Sequence, residues 1–180
     1  MTHRAQQTPE NLAFRRDLFY LNRENTDVRE IRRGRETVMA SNRRKLVALD
    51  AEDLAVISAH CQDAVLKLRD ARFFPSERRF VLELNRFAWE EGERQKERRK
   101  SVLHFERVER ASTQGINQRD REQVLSLLAM LYTPSESPAG AIDLVFSGDF
   151  QIRLSVECIE VQLTDMDASW EASSVPVHED

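Results

Sequence analysis

Apolar positions fall into short periodic runs whose period changes along the chain. Leu46–Leu49 is a brief strand-like run. After Asp50, the residues Leu54, Ile57, Cys61, Ala64 and Leu68 recur at nearly 3.6-residue spacing, which predicts a helix with one apolar face. Asp50 and Asp53 fall at its cap and first turn, where carboxylates meet free N–H groups and the positive end of the helix dipole. From Arg72 the period becomes two. Arg72–Phe74, a turn over Pro75–Arg78, and Phe80, Leu82 and Leu84 alternating with Val81, Glu83 and Asn85 predict a hairpin that runs on towards Phe87 and Trp89.

The segment Glu90–Lys100 has five basic and four acidic residues and reads as an exposed hairpin loop. Ser101–Arg110 resumes as a strand, with Val102, His104, Glu106 and Val108 on one face and Leu103, Phe105 and Arg107 on the other. The polar stretch Ala111–Glu122 reads as a loop, and Val124–Tyr132, apolar on both faces, as a central strand covered on both sides. Ile142, Leu144 and Phe146 alternate up to a Ser147–Gly148–Asp149 turn, from which Phe150–Ser155 returns. Two templates compete at the end. Ile159, Val161 and Leu163 alternate as a strand would, whereas Val156, Ile159, Leu163, Met166 and Trp170 form a helical stripe. The helical template matches over a longer span and predicts a closing helix.

Together these runs predict an α+β fold: an antiparallel sheet or small barrel of six to seven strands, one helix before the hairpins and one closing helix. That order of elements is the outline of pleckstrin-homology-like barrels, an analogy that carries no function. Residues 45–170 make the single domain, with 1–44 as a basic, partly disordered leader and 171–180 as a tail. In the leader, Thr8-Pro9-Glu10 reads as a helix start, followed by Phe14, Leu18 and Leu21 on one face of a weak amphipathic helix. Arg23–Asn42 is too polar to build a core, and Met39 is a candidate alternative start.

Composition narrows the function classes. No run of 18 apolar residues exists, so no helix crosses a bilayer, and the amino terminus lacks the apolar region of a signal peptide. Five isolated glycines write no phosphate-binding loop. Cys61 and Cys158 stand far apart, which fits buried thiols in a reducing cytoplasm. The net charge of -4 conceals a sorted distribution: residues 1–47 carry 11 basic and 6 acidic side chains, residues 133–180 carry 1 and 10.

The stretches LVALDAEDLAVISAHCQDAV (46–65), ERRFVLELNRFAWE (77–90), RRKSVLHFERVERASTQGI (98–116), VLSLLA (124–129) and IRLSVECIEVQLTDM (152–166) resemble an uncharacterised alphaproteobacterial family, domain of unknown function 2948. The resemblance covers Leu46–Trp170. It implies a bacterial cytoplasmic setting and a leader, Met1–Asn42, outside the shared domain, and it implies no catalytic residue or ligand.

Candidate chemistry is sparse. His60, Cys61, His104 and Cys158 offer no pair at metal-ligand spacing, so no metal site or cofactor is expected. A Cys61–His104 or Cys158–His104 nucleophile pair would need the fold to assemble it, against the reading of packed thiols. Glu157 and Glu160, neighbours on a predicted helix, could form a carboxylate pair near Arg153, against the reading of a solvated face. The Arg29–Arg35 and Arg43–Lys45 clusters, with the charged loop, give a candidate binding surface of Arg32, Arg33, Arg35, Arg43, Arg44, Lys45, Arg98, Arg99 and Lys100. The expectation is a cytoplasmic, non-catalytic binding or adaptor domain for a protein partner or a second copy of itself. Its alternatives are a nucleic-acid-binding accessory protein using the basic leader and the 90–100 loop, and a small-molecule enzyme with His104 and Cys61 in a pocket.

Overall fold

The computed structural model describes residues 44–88 and 97–171. Within them ten strands and one α-helix follow in the order β1 (Lys45–Ala48), α1 (Ala51–His60), β2 (Val65–Lys67), β3 (Ala71–Phe74), β4 (Arg79–Phe87), β5 (Glu97–Phe105), β6 (Val108–Gln114), β7 (Val124–Pro134), β8 (Gly140–Phe146), β9 (Phe150–Val156) and β10 (Val161–Glu171). All pairings are antiparallel, in the path β1-β10-β5-β4-β2-β7-β8-β9-β6, with β3 added beside β4. The sheet is rolled. β6 ends the path yet returns to the start of β4, where the Val108 amide donates to the Arg78 carbonyl at 2.7 Å. One hydrophobic cluster takes side chains from every strand and from α1, which a sheet can do only by curling around its own inner face.

The predicted antiparallel α+β class holds, with ten strands in place of six to seven. The two hairpins read from alternation are present as β3–β4 and β8–β9. Phe73 lies opposite Phe80, and both are buried. Asp50 caps α1 as expected, its Oδ1 accepting from the Asp53 amide at 2.8 Å.

Four expectations are corrected. The predicted closing helix is β10: Val161, Leu163 and Asp165 point inward while Gln162, Thr164 and Met166 are more exposed, a period of two. The pleckstrin-homology outline loses the helix on which it rested. The first helix stops at His60, because the chain turns through Asp63 (φ +59°) and delivers Ala64, Leu66 and Leu68 to the core along β2 and a following 3-10 turn. The strand read over Ser101–Arg110 breaks at Arg107 (φ +59°), so β6 begins at Val108 and occupies part of the expected loop 111–122. The strand over Val124–Tyr132 is β7, but Val124, Leu128 and Leu131 stay exposed, so it is covered on one face only.

The expected leader helix, the polar stretch 23–42, Met39, most of the 90–100 loop and the tail from 172 onward lie outside the described residues.

Candidate functional site

Across β4, β5 and β10 the inward residues stack in register. Phe80, Phe105 and Val161 form one layer, Leu82, Leu103 and Leu163 the next, and Leu84, Ser101 and Asp165 the third. Beyond that, Arg86 lies opposite Arg99. All of these through Arg86 are buried, so the interior passes from aromatic and aliphatic to ionic along one direction. The Arg86 guanidinium, fully buried, donates from Nε to Asp165 Oδ1 at 2.9 Å and from Nη2 to Oδ2 at 2.7 Å. The Ser101 hydroxyl donates to Oδ1 at 2.7 Å, and Arg99 Nη1 stands 3.7 Å from Oδ2. A two-pronged guanidinium–carboxylate contact fixes orientation as well as charge. Burial alone would raise the Asp165 carboxyl, but the hydrogen bonds from Arg86 and Ser101, with the charges of Arg86 and Arg99, outweigh it and hold the carboxyl below its ordinary value. The Asp165 amide also donates to the Arg44 carbonyl at 2.9 Å, tying the entry to β1 to the same point.

A groove of about 400 Å³ opens where the sheet parts between β2 and β4. These strands share one register pair, Val65 with Asn85. Past it the chain leaves the sheet through the 3-10 turn Leu68–Asp70. Leu66 and Leu84 supply apolar lining, Lys67 and Arg69 stand on one wall, and Glu83 and Lys100 on the other. At the rim, Glu122 takes hydrogen bonds on both oxygens, from Lys67 Nζ at 2.8 Å and from Arg69 Nη1 at 2.5 Å. Lys67, then Arg69, hold the Glu122 carboxyl below its ordinary value. Across the groove, Lys100 Nζ lies 3.0 Å from Glu83 Oε2.

A third feature is the distribution of exposed apolar side chains. Of the eight large ones among the described residues, Val47, Leu49, Val56, Val124, Leu128 and Leu131 lie on β1 and its exit, on α1 and on β7. These elements pack together: α1 lies against both β1 and β7, and Ser58 Oγ accepts from the Met130 amide at 2.8 Å. Leu49 is 68% exposed and Leu131 55%. The first turn of α1 adds an exposed acidic rim of Asp50, Glu52 and Asp53.

The residues singled out from sequence are dispersed. Arg32, Arg33, Arg35 and Arg43 lie outside the described residues. Arg44 is half-buried and Lys45 exposed at the start of the edge strand β1. Arg98 reaches the Asn85 carbonyl at 3.5 Å, Arg99 lies largely inside against Asp165, and Lys100 stands in the groove.

Cys61 is in the core at the end of α1, whereas His104 is on the outer face of β5 beside Val81 and Gln162, so that nucleophile pair is not assembled. Neither cysteine is in a disulfide, and Cys158 is half-buried in the β9–β10 connection. Glu157 and Glu160 are not on a helix. Glu157 accepts from Arg78 and Glu160 from Arg107, while Arg153 makes two bonds to Asp143 at 2.6 and 2.7 Å. Among the described residues no group of three or more His, Cys, Asp or Glu side chains is placed to hold a metal ion. Hydrophobic periodicity does not point to the Arg86–Asp165–Ser101 layer. Its one visible sign is the pair of charged residues that continue the inward alternation of β4 and β10.

The architecture defines a class: an antiparallel α+β domain in which one rolled ten-stranded sheet and a single described helix enclose one core. The chain belongs to the family described as "Protein of unknown function (DUF2948)", whose model matches residues 44–178. No curated protein and no solved structure matches the chain.

Proposed function

We propose that this is a non-catalytic binding domain that docks a protein partner over β1, α1 and β7. The observation that carries the reading is the concentration there of Val47, Leu49, Val56, Val124, Leu128 and Leu131, all between 43% and 68% exposed. Exposed apolar side chains gathered on neighbouring elements of a folded domain mark an interaction site. The acidic rim at Asp50, Glu52 and Asp53 specifies the partner's chemistry: apolar side chains flanked by basic ones. Two cysteines outside any disulfide fit the reducing bacterial cytoplasm expected for this encounter.

A phosphate backbone is a poorer match. Of the basic residues the nucleic-acid reading relies on, Lys100 is held by Glu83 and Arg99 faces Asp165, so both contacts would have to be given up. The test is the joint substitution V56E and L131E in the full chain. The variant is expected to keep its melting temperature and lose a protein that co-purifies with the unaltered chain, whereas R110E on β6 keeps it. Retention of that protein by the V56E/L131E variant would rule out this face.

A further inference from the structure

We infer that the groove between β2 and β4 is a binding site for a small organic oxyanion, a phosphate monoester or carboxylate carried on a short apolar body, with Glu122 occupying the anion position in the empty state. The inference rests on the groove's cations and Glu122 and shares only Val124 with the docking surface.

The groove's volume of about 400 Å³ suits a small molecule, and its composition is divided. Leu66 and Leu84 are 3% and 2% exposed and, with Val65 and Val124, offer an apolar wall. Lys67, Arg69 and Lys100 offer three cations against two lining carboxylates, Asp70 at 3.8 Å from Arg69 and Glu83 at 3.0 Å from Lys100. Lys67 and Arg69 are two apart, at the end of β2 and in the turn after it, and their donors already converge on a single carboxylate, one on each oxygen. Two cations brought to one carboxylate form a fork that another oxyanion of similar size can enter.

Three features make Glu122 replaceable. It is 58% exposed, and Lys67 and Arg69 are 42% and 53% exposed, so the contact is a surface ion pair screened by solvent. It sits in the β6–β7 connection, where it can swing outward without disturbing a strand. Lys100, on the opposite wall, is a further cation that Glu122 does not contact; Glu83 holds it at 3.0 Å, and an incoming anion competes with Glu83 for it. Removal of the Glu122 charge leaves the rim positive and the fork open.

The experiment is an NMR titration of the full chain with n-hexyl phosphate, hexanoate and inorganic phosphate, following the backbone amides of Lys67, Arg69, Leu84 and Lys100. Saturable shifts confined to this group are expected with hexyl phosphate, hexanoate or both, and weaker binding of inorganic phosphate, which lacks the apolar body. If only one organic anion binds, its head group identifies the source. E122Q is expected to tighten binding about five-fold, because a competing carboxylate is lost. K67A is expected to weaken it. E109Q, which removes an exposed charge on β6, controls for the overall field and is expected to leave affinity unchanged. The inference fails if neither organic anion gives saturable shifts at these residues, if E122Q does not tighten binding, or if E109Q tightens it equally.

Discussion

Asp165→Asn removes one negative charge and leaves the shape of the site almost unchanged, so its cost isolates the electrostatic part of the buried layer. In the native fold the carboxylate accepts two bonds from Arg86 and one from Ser101 and faces Arg99. The Arg86 side chain has no exposure, and Arg99 is 13% exposed. An amide can still accept on one side, but its NH₂ group is turned towards a donor, and two guanidinium charges lose the carboxylate between them. Breaking a buried pair from one side costs about 3–5 kcal/mol. For a domain of this size that lowers the melting temperature by about 10 °C or more.

Urea denaturation of the wild type, D165N, R86M and the R86M/D165N double variant supplies the assay. The double variant is expected to cost less than the sum of its single changes, with a coupling of at least about 2 kcal/mol, because it removes both buried charges together. Acid adds a signature. A carboxyl held below its ordinary value of 3.8 contributes stability that is fully present above that value and is lost as pH falls through the lower folded value. D165N therefore flattens the acid limb of the stability profile. A D165N cost below about 1 kcal/mol, or strict additivity in the cycle, would refute the assignment of this layer as a coupled buried network.

Two further predictions concern local features. Asp50→Ala removes the side chain that accepts from the Asp53 amide and is expected to cost about 1 kcal/mol in urea denaturation, with Asp50→Asn costing much less. His104 is shifted below its ordinary value of 6.5, by burial first and the Arg79 charge second, with Glu106 opposing. Its neutral form is therefore favoured by folding, so its contribution is full above 6.5 and falls as pH drops through the folded value. H104Q is expected to flatten the stability profile just below 6.5, and an unchanged slope would contradict this placement.

The sequence disclosed the parts of the fold whose signals are local. The β3–β4 and β8–β9 hairpins follow from clean alternation, and the α1 cap from Asp50 three residues before the amide it holds. The errors share a cause. Asp63, Arg78, Arg107 and Asp149 take positive φ without being glycine, and a search for turns that relies on glycine passes over the first and third of them. Hence the apolar spacing carries the predicted helix on to Leu68, and the predicted strand 101–110 crosses the break between β5 and β6. At the carboxy terminus, Asp165 is an inward residue that is charged, which interrupts the strand alternation and lets the helical stripe through Met166 win. Arg86 hides in the same way on β4. A polar layer inside a sheet is legible only when its partners, 79 residues apart for Arg86 and Asp165, are brought together. The groove depends on a single register pair between β2 and β4, a tertiary event with no local pattern.

The docking surface is tested most directly by placing a photoreactive amino acid in the full chain at Leu131, at Val56 or at Glu109 and irradiating intact cells of its native source. The account predicts one protein adduct of the same mass from Leu131 and Val56 and none from Glu109 on β6. Equal labelling from all three positions, or adducts from Glu109 alone, would contradict the claim that the β1–α1–β7 face receives the partner.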